Sequence, residues 1–101
     1  MTGFIPPETI DELIHERVRL GIMSALAAGG ELTFTELRDM LKATDGNLSV
    51  HARVLQEAGY VKVHKAFVDR RPRTTLALTG HGREAFQRYV ARLEELVKKQ
   101  F

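Results

Sequence analysis

Residues 33–59, TFTELRDMLKATDGNLSVHARVLQEAG, decide the fold. Thr33 stands three positions before Glu36, the spacing of a capping box, so a helix opens there. Phe34, Leu37 and Leu41 give that helix one apolar face. It is short, because Thr44 supplies a second capping hydroxyl and Asp45 a carboxylate for the next first turn, where the helix dipole favours negative charge. In this next helix Leu48, Ala52 and Leu55 make the buried stripe, and Gly59 ends it as a left-handed cap. Positions 46, 47, 49, 50 and 53 then face outward; they hold Gly46, Asn47, Ser49, Val50 and Arg53.

Beyond Gly59 the period changes. Tyr60, Val61, Val63, Phe67 and Val68 are strand formers, as are Thr74, Thr75, Leu76 and Leu78. Between them Asp69-Arg70-Arg71-Pro72-Arg73 is polar and turn-like, which predicts a β-hairpin with a basic tip. Thr79 caps a last helix, with Gly80-His81-Gly82 in its first turn, and Phe86, Tyr89, Val90, Leu93, Leu96 and Val97 fall on one side of it. On the N-terminal side, Pro6-Pro7 before Glu8 suits a helix start. From Ile10 the apolar residues Leu13, Ile14, Val18, Ile22 and Leu26 recur at three or four. Gly21 weakens that helix, so it can be two pieces, and Gly29-Gly30 ends it. Glu31-Leu32 is a short extended link.

The order is helix, short strand, helix, turn, helix, hairpin, helix. The expected fold is mainly α with a small β-hairpin (α+β), a winged helix-turn-helix with a C-terminal helix for dimerisation. It fills one domain, 1–101, with the helix-turn-helix at about 33–58, the wing at about 60–78 and the C-terminal helix at about 80–100. A chain of 101 residues buries only a thin core, and pairing with a second copy would help it.

Charge is unevenly spread. Residues 1–44 hold four basic against seven acidic residues, net −3, whereas residues 53–73 hold six basic against two acidic, net +4. A positive middle is what a phosphate-binding protein needs. The chain has no cysteine, which excludes disulfides and thiolate metal sites and makes the cytoplasm the natural compartment. Met1 to Pro7 lacks the regions of a signal peptide, and no apolar run is long enough to span a bilayer.

The stretch Leu41 to Leu55, continuing as Gln56-Glu57-Ala58-Gly59-Tyr60-Val61, resembles the recognition-helix region of MarR-like and ArsR-like regulators of bacteria and archaea. Asp69-Arg70-Arg71 followed by Leu78-Thr79 and Gly82-Arg83 is similar to the MarR-type wing and helix start, and Phe34-Thr35-Glu36-Leu37 to the second helix of the group. The likeness spans about residues 13–97. It implies a DNA-binding transcriptional regulator in which Arg71 enters the minor groove, Asp69 orients it, and His51 stands beside DNA. MarR-type chains usually carry more helix at both ends, around a ligand pocket. Here little is left over, and nothing points to a small-molecule effector.

The residues themselves fit such a role. Asn47 can pair with adenine or a phosphate, Ser49 can meet many base edges, and Val50 can meet a thymine methyl. Arg53 can fork onto guanine or grip the backbone. An ordinary solvated helix face is the alternative. Arg70, Arg71 and Arg73 at the hairpin tip can enter the minor groove or hold phosphates, and Lys65 on the strand leading to them joins the set. His15, His51, His64 and His81 are not at metal-ligand spacing, and no carboxylate cluster completes a site, so no metal and no cofactor are expected. Nucleophile-elbow, P-loop and dinucleotide patterns are absent, which argues against an enzyme.

Tyr89, Val90, Leu93, Leu96 and Val97 either cover their own core or pair with a second copy, and the C-terminal part reaches beyond a small core, favouring a homodimer. The expected function is sequence-specific binding of double-stranded DNA as a homodimer on a palindromic operator, most simply as a repressor. The rival is a winged helix used as a protein-protein module in a larger assembly, against which the arginine-rich tip argues.

Overall fold

The computed structural model describes residues 10–100; the proline-led helix start at Pro6-Pro7 lies outside them. The elements are α1 (Arg17–Gly29), β1 (Leu32–Thr33), α2 (Phe34–Leu41), α3 (Asp45–Glu57), β2 (Val61–Val68), β3 (Arg71–Leu78) and α4 (Gly80–Gln100). The strands form one antiparallel sheet in the order β1-β3-β2. Leu32 and Thr33 pair with Leu76 and Thr75, so the extended link before α2 is a true third strand.

Helix α1 begins later than the apolar spacing predicts. Residues 10–16 form turns, because short-range bonds compete with a helical start. The Asp11 carboxylate accepts from Leu13 N at 2.9 Å, and the Ile14 carbonyl accepts from Glu16 N, only two residues on, at 2.7 Å. Glu16 is the actual N-cap, its carboxylate accepting from Arg19 N at 2.8 Å. Ile14 is nevertheless fully buried, so the segment reaches the core without helical geometry. Gly21 does not split the helix. A Cβ there would stand 2.7 Å from Leu41 Cδ2, and its absence lets α2 pack against α1.

The other caps fall where the sequence puts them. Thr33 and Glu36 form the full capping box of α2, and Thr44 Oγ1 accepts from Asn47 N at 3.1 Å to open α3. Gly59 follows α3 at φ 81°, a left-handed position that costs glycine nothing. Leu37, Leu48, Leu55, Ile22, Leu26 and Leu76 are buried together between the helices and the sheet. Each such side chain contributes roughly 1.5–3 kcal/mol through burial.

The hairpin is tighter than the expected turn of residues 69–73. Only Asp69 and Arg70 lie outside the strands, at φ 52° and 65°. Two left-handed residues in succession match the twist of the strands, as a two-residue type I′ turn requires. Val68 pairs with Arg71 and Phe67 with Pro72, so the proline belongs to β3. It is tolerated because alternate antiparallel pairs do not exchange hydrogen bonds. The Val68–Arg71 pair beside the turn does, so the nitrogen of Pro72 faces the edge of the sheet that β1 leaves open.

Candidate nucleic-acid interface

Helix α3 presents two unlike faces. Leu48, Ala52 and Leu55 are buried, while Gly46, Asn47, Ser49, Val50 and Arg53 are exposed, Val50 to 61%. Capping is done by Thr44, which leaves the Asn47 side chain on the outer face. Arg38 of α2 donates to Asp45 at 2.9 Å and to Asp39 at 3.2 Å, tying α2 to the first turn of α3. That bridge is solvent-facing and of modest energetic weight.

His51 is placed differently from its neighbours. It is half-buried against α1, where Arg19 Nη1 lies 2.8 Å from its Nδ1 and Glu16 Oε1 lies 3.4 Å away. A guanidinium only donates, so Nδ1 accepts here and the ring proton belongs on Nε2. Arg19 also donates to the Leu13 carbonyl at 2.6 Å, so one side chain joins the 10–16 segment to α3. The Glu16 carboxyl is held below its ordinary range. Desolvation acts against this, and is outweighed by hydrogen bonds from the backbone of Arg19 and Val18 and by the charge of Arg19.

On the wing, Arg70, Arg71 and Arg73 are all exposed. Among the described residues no ion pair joins Asp69 to Arg71; Asp69 instead forms the first position of the turn. Arg73 stands near α2, where it is a lesser influence on Glu36. The carboxyl of Glu36 is lowered first by the Thr33 backbone N–H and then by the Thr33 hydroxyl.

Lys65 is exposed on β2, on the sheet face turned toward α3. Between that face and α3 runs an open cleft of about 310 Å³, whose polar lining is Ser49, Arg53, Gln56, Lys65 and Thr74. The structure thus brings Ser49, Arg53 and Lys65 to one place. Gln56 and Thr74 were not among the expected residues, although counting every second residue back from Leu76 would have put Thr74 on this face. Phe67, read only as a strand former, is 78% exposed.

The five residues assigned to pairing divide along α4. Tyr89 is buried within its own chain, its hydroxyl 2.8 Å from His15 Nδ1 and its ring stacked on Phe86. Leu93 packs against the same core and Leu96 is half-buried. Val90 and Val97 are exposed, at 39% and 59%. Among the described residues no group of three or more histidine or acidic side chains is arranged to hold a metal ion, and no helix is long and apolar enough to cross a membrane.

Comparison with known proteins adds four likenesses. The family model of the winged helix DNA-binding domain matches residues 18–97. An uncharacterized protein of Methanocaldococcus jannaschii is 32% identical over 87 residues, covering 86% of this chain and 95% of its own length. The solved structure of a transcriptional regulator homologue from Pyrococcus horikoshii OT3 is 35% identical, covers 87% of each chain and superposes with a TM-score of 0.82. A MarR family regulator from Streptomyces coelicolor, solved in complex with DNA, shares the fold at a TM-score of 0.72. It is 23% identical, over 91% of this chain and 62% of that one.

Proposed function

This chain belongs to the winged helix DNA-binding domain family, and we propose that it is a sequence-specific transcriptional regulator of double-stranded DNA. The observation that carries the reading is the pairing of an exposed, polar α3 face with a basic hairpin across one cleft. Helix α3 enters the major groove, where Asn47, Ser49, Val50 and Arg53 meet base edges. His51 lies at the margin of that face, and its Nε2–H is the atom left to donate to a phosphate. Arg70, Arg71 and Arg73 hold the flanking minor groove and backbone, with Lys65 behind them.

The regulator acts as a homodimer. Val90, Leu93, Leu96 and Val97 supply the pairing surface, and Tyr89 anchors the helix that carries it. A two-fold dimer sets two α3 helices in successive major grooves, so the operator is an imperfect palindrome with half-sites about one helical turn apart. Bound over a promoter, the dimer occludes polymerase and represses. Selection of genomic fragments on the purified protein tests this: the expected yield is a few promoter-proximal palindromes. Retention of no duplex DNA at low salt would sink the reading and favour a protein-protein module.

A further inference from the structure

Phe67 is the largest exposed apolar side chain of the chain's wing, and it lies in basic surroundings. Strand alternation puts Val63, Lys65 and Phe67 on one sheet face, and Val63 and Lys65 line the cleft against α3. Phe67 therefore continues the cleft wall about 7 Å further toward the tip, past the end of helix cover. Pro72 is its cross-strand partner, so the two rings stand side by side. Arg70 in the turn lies beyond them and Lys65 before them, both exposed. An apolar pair bracketed by cations matches a partner with apolar surface between regularly spaced negative charges. A sugar-phosphate strand is such a surface, since deoxyribose offers C–H faces between phosphates.

We infer that the cleft between α3 and the wing seats the DNA strand dividing the major from the minor groove, with Phe67, backed by Pro72, packed on its deoxyribose. This rests on the DNA-binding reading above. Lys65 grips a phosphate of that strand from the wing wall, while Arg53 reaches past it to the bases from the α3 wall, and Phe67 excludes water from the neighbouring sugar. A second copy of the chain is the wrong occupant for this patch, because like patches would bring Lys65 and Arg70 against their own charges.

The distinguishing property is insensitivity to salt. Phosphate contacts release counterions and steepen the dependence of affinity on salt, whereas apolar packing does not. The test measures binding of the full chain to a pool of random-sequence 30-base-pair DNA duplexes between low and moderate salt. Phe67→Ala should weaken binding about tenfold at every salt concentration with the slope unchanged, and Phe67→Leu should restore most of the loss. Its exposure means that the fold survives, which a melting curve of each variant checks. If Phe67→Ala binds as the unmodified chain does, or instead changes the mass measured by light scattering, the inference is overturned while the DNA reading stands. If the unmodified chain binds no duplex, both fall.

Discussion

Gly82 lies so close to the backbone of Tyr60 that a Cβ built on it would stand 1.9 Å from the Tyr60 carbonyl oxygen. The same oxygen accepts from Thr79 N at 3.0 Å, and the Thr79 hydroxyl donates to the Gly59 carbonyl at 2.6 Å while accepting from Gly82 N at 2.9 Å. The last turn of α3, the start of the wing and the first turn of α4 thus meet at one junction. The junction sets the direction in which α4 leaves α3 and the wing, and in the proposed dimer it would set the spacing of the two α3 helices.

Gly82→Ala should therefore be far costlier than an alanine in an ordinary helix. The obstacle is backbone and cannot rotate away, so α4 must shift. A loss on the order of 3 kcal/mol or more is expected, at the upper end of overpacking. Chemical denaturation would read it, with Gly80→Ala, where a Cβ meets nothing within 4 Å, as the mild control.

Tyr60 gives a prediction in alkaline solution. Burial first, and then its hydrogen bond to Asp11 Oδ2 at 2.5 Å, push its phenol up to about 12. The unfolded phenol ionises near 10, so between roughly pH 10 and 12 the unfolded chain releases a proton that the folded chain keeps. Stability from this group is complete below pH 10 and falls as pH rises through that window. The loss should be on the order of 1–2 kcal/mol, since the ring edge keeps some access to water. Tyr60→Phe should flatten this part of the curve in alkaline denaturation; an unchanged slope would refute the assignment.

The two surfaces proposed to face DNA should fail in different ways. Replacing Arg70 and Arg71 with alanine should weaken binding to every sequence and reduce the salt slope by about one for each phosphate no longer gripped. Replacing Asn47, Ser49 or Arg53 should narrow the gap between operator and random DNA, by roughly 1–3 kcal/mol for each base pair read. Titrations of both variant sets on both DNAs over a salt series separate the two; identical behaviour would contradict the division.

Dimerisation should depend on the exposed part of α4. Light scattering of the unmodified chain should report twice the 11.4 kDa chain mass. Changing Val90 and Val97 to aspartate should give folded monomers, because neither is buried within the chain. Tyr89→Ala should instead lower the melting temperature, since it removes a ring from the core of one chain. A monomeric unmodified chain at high micromolar concentration would end the dimer proposal.

Much of this architecture is legible in the sequence because capping is local. Thr33 with Glu36, Thr44 with Asp45, and Gly59 each announce a helix boundary within four residues, and all three hold. The start of α1 is not legible in the same way. Ile10 and Leu13 keep the apolar period, yet Asp11 and Glu16 satisfy nearby amides with their own carboxylates and hold the helix start back to Arg17. The partition of α4 is equally hidden, since Tyr89 and Val90 are adjacent apolar residues whose fates depend on His15 and the core, far away in sequence. The exposure of Phe67 is hidden too, because strand propensity says nothing about what covers a face. His51 is the subtler case: its place in the chain suggests DNA, and only the fold reveals Arg19 beside it.

The two-residue turn at Asp69 and Arg70 has an evolutionary consequence. Side chains at such left-handed positions cost about 1 kcal/mol each relative to glycine. A chain selected only for folding would carry asparagine and glycine there. Grafting that pair into the wing should make the hairpin firmer and deprive it of a cation at its apex. If the wing holds DNA as proposed, the need for a cation is what keeps Asp69-Arg70 at these strained positions, and relatives released from it would be free to drift toward Asn-Gly. The identity of these two residues then becomes a marker of whether a relative's wing is still under selection for charge.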